Sequence, residues 1–214
     1  MESSVWRQLE LLMERYPALE SVREAVAAAY GALERCYAGG GKLLVAGNGG
    51  SAADAEHIVG ELMKGFKKKR EPSPAFRERL TAVDRTRGEE LARDLQGGLP
   101  AIALTNHSAL STAFMNDVNG LESFAQQVYG YGAEGDVLLG ISTSGNSKNV
   151  MYAAVTARAV GMRVIGLTGA GGGELARFAD IAIAVPETET YRVQELHLPV
   201  YHCLCLMLEE RFFG

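Results

Sequence analysis

The chain has 214 residues, 47% of them hydrophobic, and a formal net charge of −5. That length allows one large domain, or one domain with an extension, and a sizeable buried core. The acidic balance argues against a nucleic-acid surface covering the molecule, and no apolar stretch approaches the length that spans a bilayer.

The N-terminus, "MESSVWRQLELLMERYPALE", lacks the basic start and apolar run of a secretory signal. The three cysteines, Cys36, Cys203 and Cys205, have no framework spacing and read as small apolar fillers in a reducing compartment. A soluble, cytoplasmic protein is the expectation.

Two helical patterns come first. "SVWRQLELLMERY" places Val5, Leu9, Leu12 and Met13 on one side, and "LESVREAVAAAYGALERCYAGGG" runs on to a glycine stop. Pro17 between them suits an early helical position. Then short apolar runs alternate with helical patterns. Strands are predicted at 42–47, 100–105, 136–142, 162–169 and 179–186, and helices at 51–66, after the second strand, at 146–160 and from Tyr191 to Arg211. Four of the strands are continuous apolar runs, as expected for burial on both faces, while "ADIAIAVP" alternates and suits an edge. The order implies a three-layer αβα sandwich with a five-stranded parallel, Rossmann-like or flavodoxin-like sheet and N-terminal helices. Residues 67–98 break the rhythm and read as an insertion, a lid or an interface element, with one short helix in "GEELARDLQGG". Lys67, Lys68, Lys69 and Arg70 read as a solvated run, with steering of an anionic substrate as the alternative.

Ligands of a parallel sheet sit beyond the carboxyl ends of its strands. Two loops lie there: "GNGGS" (47–51) after the first strand and "STSGNS" (142–147) after the third. Each enters a helix, whose first N–H groups are unpaired and lie at a positive dipole end. Ordinary N-capping is the simpler explanation, but one cap needs one residue, and "STSGNS" supplies four hydroxyls and an amide. A phosphate or sugar site is the reading. Neither loop matches a dinucleotide or P-loop signature, which argues against a nucleotide.

His57 and Glu61, four apart, share a helix face near the same sheet edge. Gln194 and His202, eight apart, project to one side of the last helix, where Pro199 can introduce a kink. A solvated pair is the plain alternative for His57 and Glu61. His57, Glu61, Gln194 and His202 together have side chains suited to a divalent metal such as zinc. His197 lies around the helix from His202. His107, after the second strand, reads as structural, with pocket lining as the other option.

"LLVAGNGGSAADAEHIVGEL", "MNDV", "GDVLLGISTSGNSKNV", "VIGLTGAGGGELA" and "VQELHLPVYH" occur in this order. On these blocks the chain resembles the sugar isomerase (SIS) domain family and, within it, the phosphoheptose isomerases, from about residue 5 to 212 with the insertion excepted. The resemblance implies a single SIS domain over 1–214, with a helical extension at 1–40 and the insertion at 67–98. It implies isomerisation of sedoheptulose 7-phosphate to D-glycero-D-manno-heptose 7-phosphate through an enediol. Ser51, Ser142, Thr143, Ser144 and Ser147 would hold the substrate, chiefly its phosphate. Asn48, Gly49 and Gly50 would line the pocket, and Asn116 and Asp117 would contact the ligand. Glu61 and His202 would be the acid–base pair, and His57, Glu61, Gln194 and His202 the zinc positions. The family is typically a homotetramer, so two subunits are expected to build each site. Tyr191 stands where those enzymes tend to carry an aspartate that orients the histidine, and Lys64 replaces an arginine usually set two residues further on. A non-catalytic regulator of this fold, the DnaA initiator-associating protein, is similar in "QELHL" and "CLC" but has asparagine in place of His202. That regulator and a phosphosugar-sensing module are the alternatives to an enzyme.

Overall fold

Residues 2–214 are described by a computed structural model. Helix α1 (Glu2–Arg15) buries the predicted stripe of Val5, Leu9, Leu12 and Met13. Pro17 occupies the first position of a short 3₁₀ turn (Pro17–Val22), and α2 follows at Arg23–Ala38. The second helical pattern is therefore split, because the tighter turn starts at the proline.

All five strands form where the apolar runs lie: β1 (Leu43–Ala46), β2 (Ala101–Ala103), β3 (Val137–Ile141), β4 (Arg163–Thr168) and β5 (Ile181–Ala184). They pair in parallel in the order β2-β1-β3-β4-β5. β5 is an edge strand, as its alternation predicted, and is less buried than β1 and β3. The intervening helices are α3 (Gly50–Met63), α4 (Pro74–Val83), α5 (Arg85–Asp94), α6 (Ser108–Asp117), α7 (Ser123–Tyr131), α8 (Lys148–Val160) and α9 (Gly173–Phe178). The chain ends in α10 (Thr190–Phe213), which runs through Pro199 as one helix.

Strand parity separates the two layers. Leu43, Val45, Val137, Leu139 and Ile141 join a core with α1, α2, α3 and α10. Leu44, Ala46, Leu138 and Val164 join the opposite core with α7, α8 and α9. This is the predicted three-layer sandwich. Cys36, Cys203 and Cys205 are buried free thiols, and burial raises the pKa of each.

The insertion holds two helices, α4 and α5, where the sequence suggested one. Ser73 accepts from the Phe76 N–H and Pro74 opens α4, while Asp84 accepts from the Arg87 N–H to start α5. A second correction concerns Arg70, which is 1% exposed rather than solvated. Its guanidinium donates to Glu209 at 3.0 Å and to the carbonyls of Leu62 (2.7 Å) and Glu61 (3.0 Å). Glu209 also accepts from the Phe66 and Lys67 N–H groups. Burial pushes Glu209 up, but these N–H donors and Arg70 outweigh it and hold the carboxyl below its usual range. Arg70 thus caps the carboxyl end of α3, using carbonyls that the helix leaves unpaired. Its three charged neighbours are not buried with it, and the Lys69 side chain is 77% exposed.

Candidate active site

β1 connects outward to β2 on one side, while β3 connects toward β4 on the other. The crevice between β1 and β3 is therefore the topological switch point, where a parallel sheet takes its ligand. "GNGGS" and "STSGNS" flank it, and the side-chain amides of Asn48 and Asn149 bridge the two walls by reciprocal hydrogen bonds of 2.9 and 2.8 Å.

The capping alternative fails at both walls. Ser147 occupies the N-cap of α8 but caps nothing, because its hydroxyl pairs with that of Ser142 at 2.9 Å. Gly49 precedes α3 and has no side chain to cap with. The Ser51, Ala52 and Ala53 N–H groups bond the Asn48 and Gly49 carbonyls and the Val150 N–H bonds Asn149 Oδ1, so the first N–H groups, those of Gly50, Lys148 and Asn149, are the ones left to face an anion. Ser144 accepts from the Asn146 N–H, and Asn146 in turn accepts from the Glu174 N–H, which ties the turn to the start of α9. At Gly145, φ is +67°, and a Cβ there would stand 2.0 Å from the Gly172 carbonyl, so the turn closes only with glycine. The hydroxyls of Ser51 and Thr143 make no hydrogen bond among the described residues, leaving them open to a ligand.

The acid–base candidates meet through the packing of α3 against α10. His57 Nε2 lies 3.4 Å from Glu61 Oε1 and 3.4 Å from His202 Nε2. Lys64 Nζ holds the other Glu61 oxygen at 3.2 Å. The Glu61 side chain is 13% exposed and that of His57 41%, so the cluster opens to solvent on one side. Burial pulls the His202 pKa below its usual value, the neighbouring His57 adds to this, and Glu61 opposes it. His202 is therefore neutral near pH 7 and able to accept a proton. The pair meets within one chain, although its members come from helices far apart in sequence.

Gln194 stands elsewhere. Its amide lies against Gly50, where an added Cβ would come within 2.3 Å of Nε2. It is on the crevice side, about 12 Å along α10 from His202. Asn116 and Asp117 end α6 at the surface, and their side chains bond each other at 2.7 Å rather than either wall. Among the described residues, no group of three or more His, Cys, Asp or Glu side chains is arranged as a metal site. His107 is held by the Tyr131 hydroxyl at 2.6 Å, stacked on its ring. His197 is fully buried in α10. Tyr191 is 57% exposed, and its hydroxyl accepts from Arg192.

Two residues absent from the sequence argument join the cluster. The Tyr201 hydroxyl lies 3.1 Å from His57 Nδ1 and donates to Asp54 Oδ1, also at 3.1 Å. Burial raises the Asp54 pKa, with Tyr201 and then His57 opposing. Asp54 precedes His57 by three residues on the same face of α3, which is a signal that spacing alone could have offered.

A parallel αβα sheet, with a hydroxyl-lined crevice at its switch point and an imidazole–carboxylate cluster beside it, is the architecture of a sugar isomerase domain, and the SIS domain profile matches residues 87–169. The chain is 42% identical over 201 residues to a phosphoheptose isomerase of Geotalea daltonii, covering 94% of this chain and 88% of that protein. It is 37% identical to one from Rhodospirillum rubrum, with 98% of both chains covered. A solved phosphoheptose isomerase from Francisella tularensis superposes with a TM-score of 0.73 at 33% identity, covering 94% of each chain. The chain belongs to the phosphoheptose isomerase family.

Proposed function

We propose that this protein is an aldose–ketose isomerase that converts sedoheptulose 7-phosphate to D-glycero-D-manno-heptose 7-phosphate. The observation that carries the reading is the meeting of Glu61, His57 and His202 beside a crevice whose two helix starts are left uncapped. The crevice holds the phosphate through Ser51, Ser142, Thr143, Ser144 and Ser147, with Asn48, Gly49 and Gly50 forming the opposite wall. Asn116, Asp117 and Gln194 are assigned to the sugar. Glu61 and His202 share the proton traffic: one proton moves from C1 to C2 and another between the two oxygens, so atoms balance through an enediol. The paired acid–base groups favour this over a non-catalytic regulator or a sensing module, neither of which needs them.

Zinc belongs to the same proposal. His57 Nε2 lies 3.4 Å from Glu61 Oε1 and from His202 Nε2, near the roughly 3.3 Å between neighbouring donors of a tetrahedral ion, but the described side chains are not gathered into a metal site. His57, Glu61 and His202 would hold the ion; Gln194, the fourth position the resemblance implies, lies against Gly50 about 12 Å along α10 from His202 and does not join them in this arrangement. When bound, it would polarise the carbonyl and the enediolate. A homotetramer with sites shared between subunits, one SIS domain over 1–214 and a cytoplasmic location complete the reading. No described helix is long and apolar enough to cross a membrane.

The deciding experiment incubates the protein with C5 to C7 ketose phosphates, with and without Zn²⁺, and follows aldose formation. Turnover should be fastest with sedoheptulose 7-phosphate. Binding without product from any ketose phosphate would reject the enzyme reading.

A further inference from the structure

Asp54 and Tyr201 sit behind the acid–base cluster. Tyr201 is 1% exposed, and its hydroxyl has two neighbours, His57 Nδ1 and Asp54 Oδ1, each at 3.1 Å. The second Asp54 oxygen is buried and has no partner among the described residues. The bond from Tyr201 to Oδ1 is thus the one side-chain hydrogen bond that Asp54 makes among the described residues. The Tyr201 hydroxyl donates to Asp54 Oδ1, so its single proton points at Asp54. Toward His57 the hydroxyl then has only a lone pair. His57 Nδ1 must therefore be the N–H, and in the neutral ring Nε2 is left as an acceptor.

That direction matters because His57 Nε2 faces Glu61 Oε1 and His202 Nε2, both at 3.4 Å. With the opposite tautomer, His57 would aim its N–H at Glu61 and occupy the base. With this one, the His57 Nε2 lone pair and the Glu61 Oε1 acceptor face each other at 3.4 Å, a gap that a cation or a donor hydroxyl would bridge. We propose that Asp54 and Tyr201 are positioning residues that fix His57 as its Nδ1–H tautomer and turn its Nε2 lone pair toward a divalent cation or a substrate hydroxyl. The inference deepens the isomerase reading and rests on it for its role in turnover, but the tautomer itself depends on neither substrate nor metal.

The test uses the full-length, metal-stripped protein labelled with ¹⁵N-histidine, read by long-range ¹H–¹⁵N correlation at neutral pH, with His57 assigned by its loss in His57→Gln. Wild type should show a protonated Nδ1 and a bare Nε2. In Asp54→Ala the Tyr201 proton is released to donate to Nδ1, so the His57 proton should move to Nε2. Tyr201→Phe removes only the hydroxyl and should also populate the Nε2–H form. Asp54→Asn keeps an acceptor for Tyr201 and should retain the wild-type tautomer. In turnover of sedoheptulose 7-phosphate, Asp54→Ala and Tyr201→Phe should lose roughly 10- to 100-fold in kcat, as partners of metal-facing histidines do. Asp54→Asn should restore most of it. An Nε2–H form in wild type, or an unchanged tautomer in both Asp54→Ala and Tyr201→Phe, would overturn the inference. A moved proton with unchanged kcat would overturn the positioning role. An inactive wild type with the expected spectra would instead count against the isomerase reading alone.

Discussion

At the Gly50 end of α3 the groups offered to a ligand are hydroxyls and backbone N–H; at the Glu61 end, about 16 Å further along the axis, they are two imidazoles and a carboxylate. The first region is fixed by local chain geometry: a glycine at positive φ, a serine pair and an asparagine that ties one loop to the next. The second exists only because α10 lies along α3, bringing Tyr201 and His202 to His57. The crevice can recognise an anion without any group suited to moving a proton. The cluster can move a proton but lacks a phosphate seat. On the proposed function, recognition and chemistry are separated along one pair of helices, and mutations should separate them as well.

The largest separation is expected at the cluster. Glu61→Gln keeps the shape and removes the base, so kcat should fall by about 10²- to 10⁴-fold while KM changes little. His202→Ala should act in the same direction. Steady-state kinetics on sedoheptulose 7-phosphate decide it: a loss confined to KM would mean that Glu61 binds rather than reacts, and full activity in both variants would remove the pair from the mechanism.

The two regions also differed in how far the sequence revealed them. The crevice was legible because every determinant is local: strand, glycine turn and helix start follow one another within about ten residues. Four of the five strands were legible from unbroken apolar runs, and β5 from the alternation that marks an edge strand. The cluster was half legible. His57 and Glu61 share a face by spacing, but Asp54 and Tyr201 become partners only when α3 and α10 pack, and no spacing rule links residues so far apart. Arg70 failed for a related reason. In a run of four basic residues nothing local marks one as buried, because its carboxylate partner, Glu209, lies far along the chain. The helix α4 could have been read from Ser73 and Pro74, a cap followed by a first-turn proline, had the surrounding charge not suggested a loop. The short α9 begins in a run of glycines that hides any periodicity.

A smaller effect tests whether the two regions stand on a common support. His197 lies in α10 between Gln194 and His202 and is fully buried, with neither ring nitrogen making a hydrogen bond among the described residues. Burial lowers its pKa from 6.5 to about 4, against a weaker opposing effect of the Thr168 backbone. Above pH 6.5 the ring is neutral in both the folded and the unfolded chain, and its effect on stability is nil. As the pH falls below 6.5 the unfolded chain takes up a proton that the folded chain refuses, so stability is lost progressively down to about pH 4. Between pH 7 and pH 4.5 that should amount to about 2–3 kcal/mol. Urea unfolding at the two pH values should show His197→Leu losing less stability than wild type by that amount. Equal losses would show that His197 does not control the acid response of α10.

The smallest effect belongs to the crevice. Ser147→Ala removes a hydroxyl that pairs with Ser142 and is not used as a helix cap, so α8 should keep its start and its stability. One neutral donor to a phosphate oxygen is worth about 1 to 1.4 kcal/mol, or roughly a five- to tenfold rise in KM. Because the hydroxyl is remote from the reacting carbons, kcat should stay within about twofold, the pattern of lost uniform binding. The informative control is a ketose lacking its phosphate. If Ser147 reads the phosphate, the variant and wild type should turn that substrate over equally poorly. If the variant is still several-fold worse on it, Ser147 contacts the sugar chain, and the boundary between recognition and chemistry lies closer to the serine turn than the arrangement of α3 and α10 implies.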